Sequence, residues 1–444
     1  MRILLGLLLV LVTASDVFSL DLSLGPGLSA KNAMLNVVAA LLIVRFVMQR
    51  NFKAEIPAVL ACFGLMFLYA LISIPVAAWA IEYPHYSLIT SILTLKINIA
   101  DAAMFFLTFF YGARTEADAR FLLRVLFAAF SVSSLLTITN VYGLTDVGSM
   151  RFGDNNLYEA NRVYGFFGHA NETGVLIAIF LPAYAALVTY DRGISRLLWA
   201  AGMALSAVVL IMTGSRGALA GLFVGGAIGA ILCRGYLPIG RLLRGAVPFL
   251  LTGLPVILII GAKYGGEFVQ RLASQGSAVD AGEISSGRTD LWTGAIGRMM
   301  DTPLSLITGF GWNVYDSMGF ILIPHNHYIA IWFELGLVGL TCYLLIISRL
   351  AAKILRALPT VNQDTRYDLI AAVYAIAVLS VSIFFEQLFK PWLYIWPYLG
   401  LCLRLAVTAE HGNADRPVFE VAEEPATPLG AKRLPGSKLR RRNL

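Results

Sequence analysis

The sequence predicts an all-α polytopic membrane protein with about 12 transmembrane helices and a large loop between helices 9 and 10. Of its 444 residues, 58% are hydrophobic and 14% are charged, whereas soluble domains carry about a quarter charged residues. The mean hydropathy is +0.74. Apolar runs close to the roughly 20 residues that cross a bilayer as a helix recur along most of the chain. Composition therefore argues against a soluble protein.

The predicted spans follow the apolar runs in chain order. They cover residues 3–20, 33–49, 57–80, 91–112, 121–139, 172–190, 197–213, 217–233, 245–262, 326–349, 369–388 and 391–407. Residues 1–407 are thus expected to form one transmembrane domain, with its large loop at 263–325. Residues 408–444 are rich in Pro, Glu, Ala and Gly, and are expected to form a disordered basic tail in the cytoplasm.

Lysines and arginines concentrate in every second connection between the spans. Because basic loops stay on the cytoplasmic side, both termini are expected in the cytoplasm, and loops 140–171 and 263–325 are expected to face outward. The first apolar segment also resembles a signal peptide, but its removal would leave the orientation of the later spans unchanged. The basic C-terminal residues are expected to contact anionic membrane lipids rather than nucleic acid.

Several arginines oppose this charge rule because they lie on the predicted outward face. They are Arg151, Arg162, Arg216, Arg288 and Arg298. Taken singly, each fits a side chain that extends to the membrane interface. Arg216 is flanked by apolar helix on both sides, and a charge near the membrane core costs about 2.5 to 3.5 kcal/mol. Together the arginines predict an anion site, and guanidinium groups suit phosphate oxygens.

Other classes of function are less compatible with the sequence. GxxxxGK[ST], DxD and HExxH motifs are all missing from it, which argues against ATP, metal-bound nucleotide sugars and zinc proteolysis. A transporter is the rival class, because Lys96, Asp101 and Glu334 lie within predicted spans. Most of the unusual polar residues lie at the outward rim, however. Glu334 is therefore expected mainly as a buried hydrogen-bonding group.

The stretch "IPHNHYIAIW", residues 323–332, places two histidines at the start of predicted span ten. His325 follows a proline and is expected at the wet lip of the span. His327 is expected to be structural, because two helical residues turn a side chain by about 200 degrees. Asn326 is expected either to orient an imidazole or a sugar hydroxyl, or to cap the first helical turn.

These residues form part of a longer pattern. "HNHYIAIWFELGLVG" fits H-[NSQ]-x9-G-x-x-G through His325, Asn326, Gly336 and Gly339. Together with "GR" at 287–288, "TGSRGAL" and "NRVYGFFGHAN", it resembles the O-antigen ligase and O-antigen polymerase superfamily, most densely over residues 160–345. A proline often precedes Asn171 in that pattern. Here "GHAN" leaves His169 as a second candidate imidazole.

The resemblance implies an inverting, metal-independent glycosyltransferase without a cofactor, acting at the periplasmic face of the bacterial inner membrane. Its donor would be a glycan on undecaprenyl diphosphate. Arg162, Arg216 and Arg288 would hold the diphosphate, and His325 would assist the acceptor hydroxyl. The candidate supporting residues are Asn326, His169, Asn171, Ser215 and Glu334. A ligase acting on lipid A core is the preferred assignment. An O-antigen or exopolysaccharide polymerase, with a second lipid-linked glycan as acceptor, is the alternative that the sequence does not separate from it.

Overall fold

The computed structural model describes residues 1–18, 20, 23–25, 28–49, 55–147, 162–237, 240, 255, 287–320, 322–388 and 392–414. These residues are almost entirely helical. Strands β1 (Ser23–Gly25) and β2 (Leu28–Ser29) form a short antiparallel pair. The helices are α1 (Arg2–Val17), α2 (Ala30–Gln49), α3 (Pro57–Ala80), α4 (Leu88–Gly112), α5 (Glu116–Val141), α6 (Ala170–Tyr190), α7 (Gly193–Thr213), α8 (Arg216–Leu232), α9 (Arg288–Asp301), α10 (Pro303–Thr308), α11 (His327–Ala357), α12 (Gln363–Ser382) and α13 (Trp392–Ala414). Short π-helical segments at Val76–Ala80, Lys96–Asp101 and Gly221–Gly225 lie within α3, α4 and α8.

Eight of the described helices are long and apolar enough to cross a membrane, and each overlaps a predicted span. They are α2 to α7, α11 and α12. Helices α1, α8 and α13 occupy three further predicted spans but have shorter apolar stretches. Predicted span 245–262 lies outside the described residues, so the count of 12 stays a prediction. The chain is a multi-pass helical membrane protein.

The structure contains helices in two segments that were predicted as a loop and as a disordered tail. Helices α9 and α10 lie in the described part of the large loop, from residue 287 onward. Helix α13 continues to Ala414 and so overlaps the start of the predicted tail at 408. Residues 415–444, and the first part of the large loop at 263–286, lie outside the described residues.

A sharp turn between α7 and α8 sets the position of Arg216. Helix α7 ends at Gly214, whose φ of 59° lies in the left-handed region that glycine adopts readily. Ser215 then caps α8, and its side chain accepts a hydrogen bond from the backbone N–H of Ala218 at 3.4 Å. Arg216 is consequently the first residue of α8, at the end of the helix where backbone N–H groups are unpaired.

One face of α8 is made of glycine and packs directly against α12. Every fourth residue along this face is glycine, namely Gly217, Gly221, Gly225 and Gly229. A Cβ atom added at Gly225 would lie 2.5 Å from the Cα atom of Val378, and one added at Gly217 would lie 2.8 Å from the Cβ atom of Phe385. Small residues at this spacing let two membrane helices approach closely. The first turn of α8 therefore lies against the segment that follows α12.

Helix α11 contains a break at Gly336, where φ is 61° and ψ is −164°. The chain after α10 crosses this break. The backbone N–H groups of Phe310 and Gly311 donate to the carbonyl oxygens of Phe333 and Glu334, at 2.8 and 2.9 Å. The break therefore does not leave these two buried carbonyls without partners. Gly336, one of the motif glycines, thus provides the positive φ that this break requires.

Candidate active site

His325 lies against the buried carboxylate of Glu386. The distance from His325 Nδ1 to Glu386 Oε1 is 3.1 Å, and Glu386 is only 3% exposed. The backbone N–H of His327 donates to the carbonyl oxygen of Ile383 at 2.9 Å. This contact joins the start of α11 to the end of α12. It thereby brings together two residues that are 61 positions apart in the sequence.

Arg288 contacts the other oxygen of the same carboxylate. It is the first residue of α9, and its Nη2 atom lies 3.4 Å from Glu386 Oε2. One turn further along α9, Trp292 donates from its indole nitrogen to the carbonyl oxygen of Pro324 at 2.7 Å. Helix α9 is thus attached to the residue that precedes His325. Glu386 links the predicted catalytic histidine to one of the predicted phosphate-binding arginines.

The charges around Glu386 keep this carboxylate ionised. Burial by itself raises the pKa of Glu386, but the hydrogen bond with His325 and the charges of His325, Arg288 and His169 outweigh burial and bring that pKa below its ordinary 4.5. An ionised carboxylate only accepts hydrogen bonds. A neutral His325 must therefore carry its hydrogen on Nδ1, which leaves Nε2 as the proton acceptor.

His325 and His327 have different environments, in line with the sequence prediction. His325 lies just outside α11 with φ at 47°. Asn326 is the N-cap of α11, and its Oδ1 atom accepts from the backbone N–H of Ile329 at 3.1 Å, so the predicted capping role is confirmed. His327 is partly buried in the first turn of α11, with its ring edge-on to Tyr343 at 5.2 Å between centroids. The left-handed backbone at His325 separates the two imidazoles.

Arg162 joins the segment before α6 to the end of α7. Its Nε atom donates to the carbonyl oxygen of Thr213 at 2.8 Å, and its Nη2 atom donates to Oδ1 of Asn171. The next residue, Val163, donates from its backbone to Met212 at 3.1 Å. Arg162 and Asn171, which the sequence analysis named as separate candidates, are therefore in direct contact. Arg162 also positions the turn that precedes Arg216.

The Arg162 group and the His325 group lie at the same end of the helix bundle. Helices α6 and α8 touch through their first turns, since a Cβ atom on Gly174 would lie 2.8 Å from the Cβ atom of Ser215. His169 is the N-cap residue of α6, and a positive charge on its imidazole would lower the pKa of Glu386. Arg216 begins α8, whose first turn packs beside the residue before Glu386.

Helices α6, α8 and α11 all begin at this end of the bundle. The first backbone N–H groups of a helix are unpaired and carry a partial positive charge. Such helix starts favour anions, and phosphate groups in particular. Three helix starts and the guanidinium groups of Arg162, Arg216 and Arg288 form an electropositive surface that also contains two buried carboxylates, Glu172 in the first turn of α6 and Glu386. This arrangement can stabilise a multiply charged anion next to an imidazole.

Other charged residues from the sequence analysis lie elsewhere. Glu334 lies beside the break in α11, where its backbone carbonyl oxygen accepts from the backbone N–H of Gly311 at 2.9 Å. Lys96 and Asp101 form an ion pair at 2.7 Å within α4. Arg298 lies in the last turn of α9, whereas Arg288 begins that helix. Arg151 falls outside the described residues.

Glu386 is the candidate site residue that the sequence analysis missed. It is the only acid within predicted span 369–388, where the sequence reads "SIFFEQLF". An ionisable residue inside a membrane span is expensive and usually has a partner or a task. The same argument that selected Glu334 would have selected Glu386. Its partners could not be identified in this way, because they lie 61 and 98 positions away.

Comparison with known protein families gives a match over part of the chain. Residues 201–344, about a third of the chain, match a family model described as O-antigen ligase. The matched segment contains Ser215, Arg216, Arg288, His325 and Glu334, whereas Arg162 and Glu386 lie outside it. No curated protein matches the chain. The predicted resemblance to the O-antigen ligase superfamily is confirmed over the matched residues.

Proposed function

We propose, on the premise of this O-antigen ligase domain at residues 201–344, that the protein transfers a glycan from undecaprenyl diphosphate to lipid A core. The reaction takes place at the periplasmic face of the bacterial inner membrane. The observation that carries the proposal is the bridge made by Glu386, with His325 on one carboxylate oxygen and Arg288 on the other. One carboxylate thereby holds the proposed proton acceptor and a proposed phosphate-binding group next to each other.

His325 is the general base in this proposal. Its Nδ1–H donates to Glu386, so Nε2 receives the proton of the acceptor hydroxyl as that oxygen attacks C1 of the donor sugar. Glu386 fixes the orientation of the imidazole and stabilises the imidazolium that forms. A positioned base of this kind contributes about 100- to 10,000-fold in rate.

The arginines stabilise the leaving group. As the bond between C1 and the phosphate oxygen breaks, its electron pair moves onto the diphosphate. Arg216, Arg288 and the helix starts beside them are oriented before the reaction, so their stabilisation needs little reorganisation. Attack from the face opposite the leaving group inverts the configuration at C1. Arg162 contributes charge and also holds the turn before Arg216 through Thr213.

A ligase and a polymerase differ in their acceptor. The glycans that accumulate in cells lacking the gene distinguish the two. We expect deletion of the gene to leave lipid A core uncapped while long polyprenyl-linked chains accumulate. Chains that collapse to single repeats would instead identify a polymerase.

Reconstitution tests the transferase activity itself. The purified full chain, supplied with glycan on undecaprenyl diphosphate and lipid A core, should produce capped core. A Glu386→Gln variant present at normal levels should not do so at a comparable rate. Equal rates for the variant and the wild type would contradict the proposed arrangement of the site.

A further inference from the structure

The backbone of His325 has a strained conformation that neighbouring contacts must hold. Its φ of 47° lies in the left-handed region, which is costly for a residue other than glycine and persists only where the surrounding structure fixes it. After His325, the Oδ1 atom of Asn326 caps α11, and the backbone N–H of His327 donates to Ile383 at 2.9 Å. These two contacts fix the chain on the C-terminal side of the strained residue.

Trp292 fixes the chain on the N-terminal side of His325. Its indole nitrogen donates to the carbonyl oxygen of Pro324 at 2.7 Å. This carbonyl belongs to the same planar peptide group as the backbone nitrogen of His325. A change in φ at His325 rotates that peptide group relative to the imidazole. A hydrogen bond to the carbonyl oxygen therefore restrains the angle that directs the imidazole.

Trp292 also contacts the segment that carries Glu386. Its ring lies edge-on to Phe384, with 5.5 Å between the ring centroids, and Phe384 precedes Glu386 by two positions. Arg288 lies four residues before Trp292, so both side chains share one face of α9. Arg288 lies 3.4 Å from Glu386. This face of α9 consequently holds the residue before His325 and the segment around Glu386 together.

We propose that Trp292 is a positioning residue for the transfer reaction, because its hydrogen bond to Pro324 keeps His325 in the conformation that places Nδ1 against Glu386. The inference rests on the proposed function, in which Nε2 of His325 receives the proton of the acceptor hydroxyl. Without the hydrogen bond, φ of His325 relaxes and the imidazole leaves the carboxylate more often. Transfer then slows, although every group that touches the substrates is still present.

Trp292→Phe tests this role in the purified full chain in lipid nanodiscs. Phenylalanine keeps an aromatic ring beside Phe384 and loses the N–H group. We expect kcat to fall about tenfold, whereas the KM for undecaprenyl-diphosphate-linked glycan stays unchanged, since Arg288 is retained. A second variant carries benzothienylalanine at position 292, which keeps the shape of the indole and replaces its N–H by sulfur. It should show the same loss of kcat.

A matched control is Trp332→Phe. Trp332 is half-buried like Trp292, and its indole nitrogen also donates to a backbone carbonyl oxygen, that of Leu306, at 3.0 Å. That bond joins α11 to α10 instead of restraining His325. The control variant should therefore keep the kcat of the wild type. Thermal unfolding of each variant checks that the fold is retained.

A double variant distinguishes positioning from a general structural role. In the His325→Ala background the group to be positioned is gone, so adding Trp292→Phe should lower the residual transfer by less than about twofold. A structural role would lower transfer by the same factor in both backgrounds. An equal loss in the two backgrounds, or an unchanged kcat in the single variant and in the benzothienylalanine variant, would overturn the inference.

Hydrogen exchange of the backbone amides of residues 326–331 measures the restraint without substrates. Trp292→Phe should speed this exchange, and unchanged exchange would overturn the inference whatever the activity. A wild-type protein that transfers no glycan would refute the proposed function instead. In that case faster exchange in Trp292→Phe would still support the restraint on His325, so the two failures are distinguishable.

Discussion

Nδ1 of His325 donates a hydrogen bond to Oε1 of Glu386 across 3.1 Å, from the start of α11 to the segment that follows α12. The second oxygen of the same carboxylate lies 3.4 Å from Arg288. Because Glu386 is buried and ionised, it can set both the tautomer of the histidine and the position of the arginine. A single side chain therefore couples the proposed base to the proposed leaving-group site.

Replacement of Glu386 by Gln should lower the transfer rate by about 100-fold or more. The amide keeps the size of the side chain but loses the charge, so it can no longer favour one tautomer of His325 or stabilise its protonated form. Glu386→Asp should retain part of the activity. Asp290→Asn, an exposed carboxylate in the first turn of α9, is the matched control and should behave like the wild type in the same assay.

Arg288→Lys and Arg216→Lys should each reduce transfer by about 100- to 1,000-fold. Lysine keeps the positive charge but loses the planar fork that binds two phosphate oxygens. Protein levels in the membrane should stay normal, as measured by immunoblot. Arg298→Lys, at the far end of α9, should have little effect. Full activity in both of the first two variants would refute two-point phosphate binding at these positions.

Gly225→Ala should destabilise the protein by about 1 to 3 kcal/mol. The added Cβ atom would lie 2.5 Å from the Cα atom of Val378, so α8 must move away from α12. Gly226→Ala is a matched control on the adjacent residue, because nothing lies within 4 Å of its added Cβ atom. Thermal unfolding in detergent measures both variants. Equal melting temperatures would show that the close packing of α8 on α12 is absent.

The stability that Glu386 contributes should depend on pH in a defined direction. Its pKa in the folded protein is below the ordinary 4.5, so the contribution is fully present above about pH 4.5 and is lost as the pH falls further. The difference in melting temperature between the wild type and Glu386→Gln should therefore shrink as the pH falls below about 4.5. A difference that grows in acid would contradict this.

Local patterns in the sequence predicted much of the fold and part of the site. Apolar runs located the eight helices that are long and apolar enough to cross a membrane, and the position of Asn326 before an apolar segment indicated its capping role. The contacts of Glu386 could not be predicted, because they depend on how α9, α11 and α12 pack together. The break in α11 was also missed, since a glycine within an apolar run does not reveal that another segment crosses it.

The glycine face of α8 can be recognised in the sequence. Four glycines at a spacing of four residues predict close contact with a neighbouring helix. The spacing alone does not identify α12 as that neighbour. Arg162 shows the same limit, since its charge suggested an anion site, whereas its contacts with Thr213 and Asn171 became evident only from the fold.

The most direct test of the account is a comparison of His325→Ala, His327→Ala and His169→Ala in a purified system. Transfer and the binding of undecaprenyl-diphosphate-linked glycan are measured separately for each variant. We predict that His325→Ala binds the donor normally but transfers glycan at no more than about a hundredth of the wild-type rate, and that His327→Ala loses less. Near-normal transfer by His325→Ala, together with an inactive His169→Ala, would contradict the account and assign the base to the residue that precedes α6.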